Sequence, residues 1–132
     1  MLIYAAGSLA ARIATVLCAL VIALPYFLRR GRPSAAGATP YLRRLWLHFW
    51  AGYAVLGLSF FHAGTVMRAM GRADARGIWA ATASFFLLMF EVVLGLRLRA
   101  ATLGSRRLVR QVHFWVMIVF AGLLVTHLWL NG

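Results

Sequence analysis

Four long apolar segments, separated by arginine-containing stretches, constrain the fold of this chain most strongly. They run from about residue 13 to 28, 45 to 67, 78 to 96 and 112 to 130, and the second contains no charged residue. Transmembrane helices need about 17–25 mostly apolar residues. The first segment is at the short end of this range unless its helix passes Arg12 and extends back to Leu2. We therefore predict an all-α integral membrane four-helix bundle that forms a single domain over residues 1–132.

The composition agrees with a membrane protein. Hydrophobic residues make up 64% of the chain and the mean hydropathy is +0.85, whereas soluble proteins average about 45–50% apolar residues. The four segments leave no room for a separate soluble domain. We expect the first segment to be a membrane span and not a cleaved signal peptide, because Arg12 follows eleven mostly apolar residues and no small-residue cleavage pattern precedes a soluble body.

The basic residues predict an orientation in the membrane. The net charge is +12, all of it from arginine. A charge of this size can indicate nucleic-acid binding, but these arginines lie between apolar segments, where they set topology and meet anionic lipid headgroups. We therefore expect membrane lipids as partners and no nucleic acid. Ten arginines follow the first and third segments: Arg29, Arg30, Arg32, Arg43, Arg44, Arg97, Arg99, Arg106, Arg107 and Arg110.

Only three arginines follow the second segment. They are Arg68, Arg72 and Arg76, and Asp74 offsets part of their charge. The positive-inside rule places the side with more arginines in the cytoplasm. The pattern therefore predicts a multi-pass protein of the bacterial plasma membrane with both termini on the extracytoplasmic side.

The four histidines stand in two equally spaced pairs. His48 and His62 are 14 residues apart, as are His113 and His127, and the sequence His-Phe-Trp begins at both 48 and 113. Fourteen residues turn an α-helix by about 1400°, within about 40° of a whole number of turns, and advance it by about 21 Å. Each helix therefore presents both of its histidines on one face. Because the second and fourth segments run in the same direction, each of two depths receives one histidine from each segment. By the predicted orientation, His48 and His113 form the inner pair, near the cytoplasmic face, and His62 and His127 form the outer pair.

This arrangement favours haem over a bare metal ion. Zinc prefers about four protein ligands, but each depth offers two histidines, and no Cys, Asp or Glu accompanies the outer pair. Haem needs only two axial ligands, and imidazole is a usual one. The single cysteine, Cys18, excludes a covalent Cys-x-x-Cys-His haem site within the chain. We predict two haems b, one between His48 and His113 and one between His62 and His127. The alternative, hydrogen-bonded packing histidines, better fits a lone transmembrane histidine than two pairs in register.

In these motifs the chain resembles the four-helix dihaem cytochromes b, and in particular the N-terminal haem-binding core of cytochrome b from quinol-oxidising complexes. That core carries two histidines separated by thirteen residues on its second helix and again on its fourth, as His48 and His62, and His113 and His127, are here. The resemblance covers the topology of the whole chain, and the histidine motif is shared with several families, including ferric-reductase-like membrane domains. It stops after the fourth helix, before the quinol-site helices of the full cytochrome.

Three arginines are candidates for contacts with the anionic haem propionates. Arg44 and Arg110 lie within about one helical turn of His48 and His113, so they suit the inner haem. Arg12 is at nearly the depth of the outer pair. The alternative for each arginine is contact with lipid headgroups.

Small and aromatic residues between the histidines are candidates for haem contact. Gly52 and Ser59 share the histidine face of the second segment, and Phe120 shares that of the fourth. A packing role is the alternative for Phe120. Gly57 and Gly122 both lie five residues before an outer histidine and point away from this face. We expect these two glycines to permit close helix contact.

Glu91 is the one carboxylate inside a predicted span. Intramembrane carboxylates commonly exchange protons, so we expect Glu91 to serve a quinone bound near the inner haem. The alternative is an ion pair with an arginine.

These residues lead to a functional hypothesis with two rivals. The chain is expected to be an electron-transfer subunit of a membrane oxidoreductase complex, carrying electrons between partner redox subunits and a quinone pool. It has no glycine-rich dinucleotide loop and no room for a flavin domain. The first rival is a self-contained oxidoreductase acting on quinone, oxygen species or ferric iron, and the second is a haem-free membrane anchor or assembly subunit.

Overall fold

Four helices account for nearly all of the described chain. The computed structural model describes residues 2–30, 45–67 and 73–131. Its helices are α1 (Leu2–Arg30), α2 (Trp46–Val66), α3 (Ala75–Ala100) and α4 (Leu103–Asn131). Each is long and apolar enough to cross a membrane, and these residues contain no β-strand. The predicted all-helical architecture with four apolar helices is confirmed.

The first and last helices are longer than the predicted spans. Helix α1 begins at Leu2 and continues through Arg12, and α4 begins at Leu103 and includes Arg106, Arg107 and Arg110. Arginine is a good helix former, and its long side chain can carry its charge to the membrane surface while its stem stays on apolar surface. An arginine therefore marks where the apolar segment stops, but not where the helix stops.

The chain divides into two compact units, Met1–Thr65 and Val66–Gly132. The first contains α1 and almost all of α2, and we call it the N-terminal hairpin. The second contains α3 and α4, and we call it the C-terminal hairpin. Only Ala101 and Thr102 separate α3 from α4, so these two helices must reverse direction within one tight turn.

The first helix of each hairpin buries one narrow stripe. In α1 and in α3 the buried positions recur every three or four residues, which is the spacing of one helix face. Four buried positions of α3 repeat those of α1 70 residues later, and the α3 stripe continues to Glu91 and Leu94, whose counterparts in α1 are half-buried. The shared buried positions are Gly7, Ala10, Ala14 and Cys18 in α1 and Gly77, Ala80, Ser84 and Leu88 in α3.

The second helices also correspond. Val55 of α2 is 4% exposed and Phe120 of α4 is 6% exposed, and they are 65 residues apart, the same offset as the histidines. The two hairpins thus repeat one arrangement of paired helices, although few of their residues are identical.

Candidate functional site

Both histidines of the N-terminal hairpin contact main-chain carbonyl groups of α1. The Nδ1 atom of His48 lies 3.0 Å from the carbonyl oxygen of Val21. The Nδ1 atom of His62 lies 3.1 Å from the carbonyl oxygen of Gly7. The residue numbers of the partners add to 69 in both contacts, which is the register of two antiparallel helices. A carbonyl oxygen only accepts hydrogen bonds, so Nδ1 carries the proton in both rings.

Pro25 explains why the carbonyl group of Val21 is available. In an α-helix this oxygen would accept from the N–H group of residue 25. Pro25 lies inside α1 and has no N–H, so the intrahelical bond is missing. A carbonyl without a partner is costly in a membrane, where prolines are tolerated when a neighbouring group satisfies the freed oxygen. His48 is that group here.

Gly7 brings the other end of α2 close to α1. A Cβ atom added at Gly7 would overlap Oγ1 of Thr65 and lie 2.8 Å from its Cβ. Thr65 follows His62 by three residues and its hydroxyl donates to the His62 carbonyl, at 2.8 Å. The missing side chain at Gly7 therefore lets α2 approach closely enough for the His62 ring to reach the backbone.

The outer histidine of the C-terminal hairpin is held in the same way. The Nδ1 atom of His127 lies 3.0 Å from the carbonyl oxygen of Gly77. A Cβ atom added at Gly77 would overlap Nδ2 of Asn131 and lie 3.1 Å from Cβ of Leu130. Gly77 thus combines close helix approach with ring anchoring, as Gly7 does 70 residues earlier.

His113 differs from the other three histidines because it contacts a side chain. Its Nδ1 atom lies 2.5 Å from Oε2 of Glu91. The side chains of His113 and Glu91 are 25% and 10% exposed. Glu91 occupies the position in α3 that corresponds to Val21 in α1, and the pair keeps the antiparallel register of His127 and Gly77.

The second oxygen of Glu91 has no hydrogen-bond partner among the described residues. This atom, Oε1, is buried, and a buried carboxylate oxygen without a partner costs free energy. A residue retained under such a cost inside a membrane is a functional candidate. The contact with His113 takes the place of the arginine ion pair that was the sequence-based alternative for Glu91.

The carbonyl contacts give His48, His62 and His127 a common chemical state. A proton on Nδ1 leaves the lone pair of a neutral imidazole on Nε2. Histidines that ligate metals usually donate the proton of their other ring nitrogen to a carbonyl or carboxylate, which fixes the orientation of the ring and raises its basicity. These three rings therefore have the arrangement that an Nε2 ligand requires, and a carboxylate oxygen lies beside Nδ1 of His113.

The remaining predicted residues occupy varied environments. Gly52 and Ser59 are half-buried, and Phe120 is buried seven residues from each histidine of α4. Arg12 and Arg110 are exposed on their helices. Arg44 lies outside the described residues.

The expectation that Gly57 and Gly122 permit close helix contact is wrong for the described chain. No atom of a neighbouring helix lies within 4 Å of a Cβ atom built at either position. Both glycines are exposed. The close approach occurs at Gly7 and Gly77 instead, one turn from the helix ends.

Within residues 2–30, 45–67 and 73–131, no cluster of three or more histidine, cysteine or acidic side chains could hold a metal ion. A haem site draws only two ligands from the protein, so this finding bears on sites for bare metal ions and leaves the haem hypothesis untouched.

Comparison of the chain with protein-family models, with curated proteins and with solved structures finds no match.

Proposed function

We propose that this chain is a transmembrane dihaem b-type cytochrome subunit. The observation that carries the proposal is that the Nδ1 atoms of all four histidines lie within 3.1 Å of an oxygen atom on the paired helix. His48 and His113 would ligate one haem, and His62 and His127 the other. Haem iron supplies a one-electron couple at each level, and the two levels would carry electrons across a bacterial plasma membrane.

The helices provide the spacing that this function needs. His48 and His62 lie on one continuous helix, as do His113 and His127, so the two ligands of each helix are separated by about 21 Å along its axis. The rings are held by groups on the neighbouring helix, which limits their rotation before any ligand binds. The exposed Arg12 and Arg110 are available for the propionates or for lipid headgroups.

The partners follow from what the chain can do by itself. A chain that holds two haems would still need an electron donor and an acceptor, so redox partner subunits and a quinone pool are proposed for these roles. Glu91 is the proposed proton-exchanging group for a quinone. Its contact with His113 links this carboxylate to the inner haem level as well.

A haem-free anchor or assembly subunit is the second candidate function. One observation favours it: three histidines already donate to carbonyl groups of the chain and the fourth lies beside a carboxylate, so these contacts form without a cofactor. Under this hypothesis His113 and Glu91 would form a structural pair that joins α3 to α4.

The pyridine haemochrome assay on the purified full-length protein separates the two candidates. We expect about two protohaems per chain, extractable with acid acetone because no covalent attachment motif is present. Colourless protein, after expression in cells supplied with haem precursor, would support the anchor. Haem that resists extraction would contradict the non-covalent b-type assignment.

Reporter fusions test the proposed orientation. A reporter active only in the cytoplasm should be silent at the C terminus and active when inserted within residues 31–44. The expectation follows from the ten arginines beside the first and third turns against three beside the second. The opposite pattern would exchange the inner and outer haem assignments and leave the number of haems unchanged.

A further inference from the structure

Of the four histidine contacts, only that of His113 brings a negative charge to the ring. The other three acceptors are neutral main-chain carbonyl groups. At the corresponding position in the N-terminal hairpin, Nδ1 of His48 meets the neutral main-chain carbonyl of Val21, so a close contact at this position does not require a carboxylate. Glu91 therefore differs from the carbonyl acceptor of His48 mainly in its negative charge.

We propose that Glu91 lowers the midpoint potential of the haem ligated by His113. Glu91 acts through the imidazole: it positions the ring, and its negative charge raises the electron density of the ring. This inference rests on the proposed dihaem function. A carboxylate beside Nδ1 increases the electron density at Nε2, which favours ferric over ferrous iron. Hydrogen bonding to an axial ligand is an established means by which proteins adjust haem potential.

Burial makes the charge effective. Glu91 and His113 are both largely covered, and charges interact more strongly in a low-dielectric interior than in water. The nearest arginines along the same two helices, Arg97 and Arg110, are exposed, so solvent screens their opposing charge. Glu91 is the only acidic residue within the described helices, since Asp74 precedes α3.

The test is a redox titration of the haem-loaded Glu91→Gln variant. Glutamine keeps the length of the side chain and an acceptor oxygen, so it removes the charge and preserves the contact. We expect the oxidised-to-reduced ratio of one component, measured at a fixed ambient potential, to fall about tenfold, which equals a rise of about 59 mV for a one-electron couple. The other component should not move.

Two further variants identify the component and control for packing. His113→Ala should delete the component that shifts in Glu91→Gln. Ser84→Ala removes another buried polar group from the same stripe of α3, one whose hydroxyl donates to Ala80 of its own helix. Because the hydroxyl of Ser84 bonds within its own helix, both potentials should stay at their wild-type values.

The outcomes distinguish this inference from the proposed function. A wild-type protein without haem would refute both. Two haems whose potentials are unchanged in Glu91→Gln would refute the inference and leave the cytochrome assignment standing. If Glu91→Gln loses one haem, the Glu91→Asp variant decides the question. A retained haem with a potential near that of the wild-type protein would support a requirement for the negative charge. Loss of the same haem in Glu91→Asp would refute the inference.

Discussion

The two hairpins hold their histidines in the same register but with different acceptors at one position. In the N-terminal hairpin, a proline removes an N–H group and leaves the Val21 carbonyl to accept from His48. In the C-terminal hairpin, Gly95 stands at the position that corresponds to Pro25, and a carboxylate side chain meets His113. One hairpin modifies its backbone to make an acceptor, and the other adds a side chain.

The two hairpins show that holding a histidine ring in place and changing its electrostatic surroundings are separate effects. Gly7 and Gly77 provide the same close approach and the same acceptor atom, so the outer histidines have matched surroundings. The inner histidines differ, and the difference is one of charge. If the proposed pairing is correct, a single haem has one neutral and one carboxylate-linked ligand, which gives the two haems distinct properties from nearly repeated structure.

Removing a histidine should have the largest effect on this arrangement. Each Ala variant should lose about one of the two haems and keep the other, because the ligands of the second level remain on the same helix. His48→Ala and His113→Ala should delete the same redox component, and His62→Ala and His127→Ala the other. Haem content and redox titration of the purified variants measure both effects.

The exposed neighbour of His127 offers a control for these variants. Thr126 lies on the adjacent position of α4, and its hydroxyl donates within its own helix at 2.9 Å. Thr126→Ala should keep both haems. If His48→Ala and His127→Ala deleted the same component, α2 and α4 would run in opposite directions, and the pairing proposed here would be wrong.

Alanine at the two close-approach glycines should produce the next largest effect, with the two hairpins responding unequally. Gly7→Ala meets the stiff, β-branched Thr65, whereas Gly77→Ala first meets the end of the flexible Asn131 side chain. Overpacking of this kind costs about 1–3 kcal/mol, and we expect Gly7→Ala to be the more damaging. Thermal unfolding and haem retention in detergent would rank the two.

Matched variants show whether the clash is responsible. Gly57→Ala and Gly122→Ala add the same methyl group where no neighbouring helix lies within 4 Å, so they should be neutral or stabilising. Replacing Thr65 by glycine should recover most of the loss in Gly7→Ala. Equal damage at all four glycines would show that chain flexibility, and not helix approach, determines the outcome.

Pro25→Ala should have a smaller effect, confined to the N-terminal hairpin. Alanine restores an N–H group that competes with His48 for the Val21 carbonyl, while α1 itself becomes a better helix. A neutral hydrogen bond contributes about 0.5–1.5 kcal/mol, so haem affinity should fall by less than about tenfold. Haem transfer to an excess of apomyoglobin measures this affinity.

The corresponding C-terminal variant, Gly95→Ala, is the control for Pro25→Ala. Residue 95 already has an N–H group, and no neighbouring helix lies within 4 Å of its added Cβ. Haem transfer should therefore match that of the wild-type protein. A loss in Gly95→Ala as large as in Pro25→Ala would mean that the proline acts through helix shape and not through the freed carbonyl.

Hydropathy and periodicity predicted the four helices, because apolar length depends only on neighbouring residues. They placed the start of α4 late, since they treated Arg106 and Arg110 as boundaries although arginine continues a helix well. The contacts of the histidine rings were not predicted, because the register between two helices depends on residues far apart in sequence. Two features of the sequence could have indicated these contacts. Pro25 frees the carbonyl of Val21, four residues earlier, and Gly7 lies 14 residues before Val21, which is the spacing of His48 and His62.

Removing the charge of Asp74, at the start of α3, should give the smallest effect. This carboxylate distinguishes the end of the C-terminal hairpin from that of the N-terminal hairpin. Asp74 caps α3 by accepting from the N–H groups of Arg76 and Gly77, at 2.8 and 3.4 Å. Asn131 joins this cap to the end of α4 by accepting from the N–H of Asp74 at 2.8 Å and donating to its carbonyl at 3.3 Å. In the N-terminal hairpin, the equivalent contact of Thr65 with Gly7 carries no charge.

The hydrogen bonds from the side chain and backbone N–H of Arg76 hold the pKa of Asp74 below its usual value. A carboxyl group whose native pKa is lowered stabilises the fold fully above its unfolded pKa of about 3.9, and this contribution disappears as the pH falls through the lower native value. The Asp74→Asn variant retains a good capping residue, so its melting temperature should lie slightly below that of the wild-type protein between about pH 5 and 8 and approach it below about pH 4. The difference should be small because the Arg76 side chain is 81% exposed and surface ion pairs contribute little.

Asn131→Ala removes the neutral part of the contact, so its destabilisation should be nearly independent of pH. A pH-dependent difference in Asn131→Ala, or none in Asp74→Asn, would show that the charge of Asp74 is not what distinguishes this end of the hairpin.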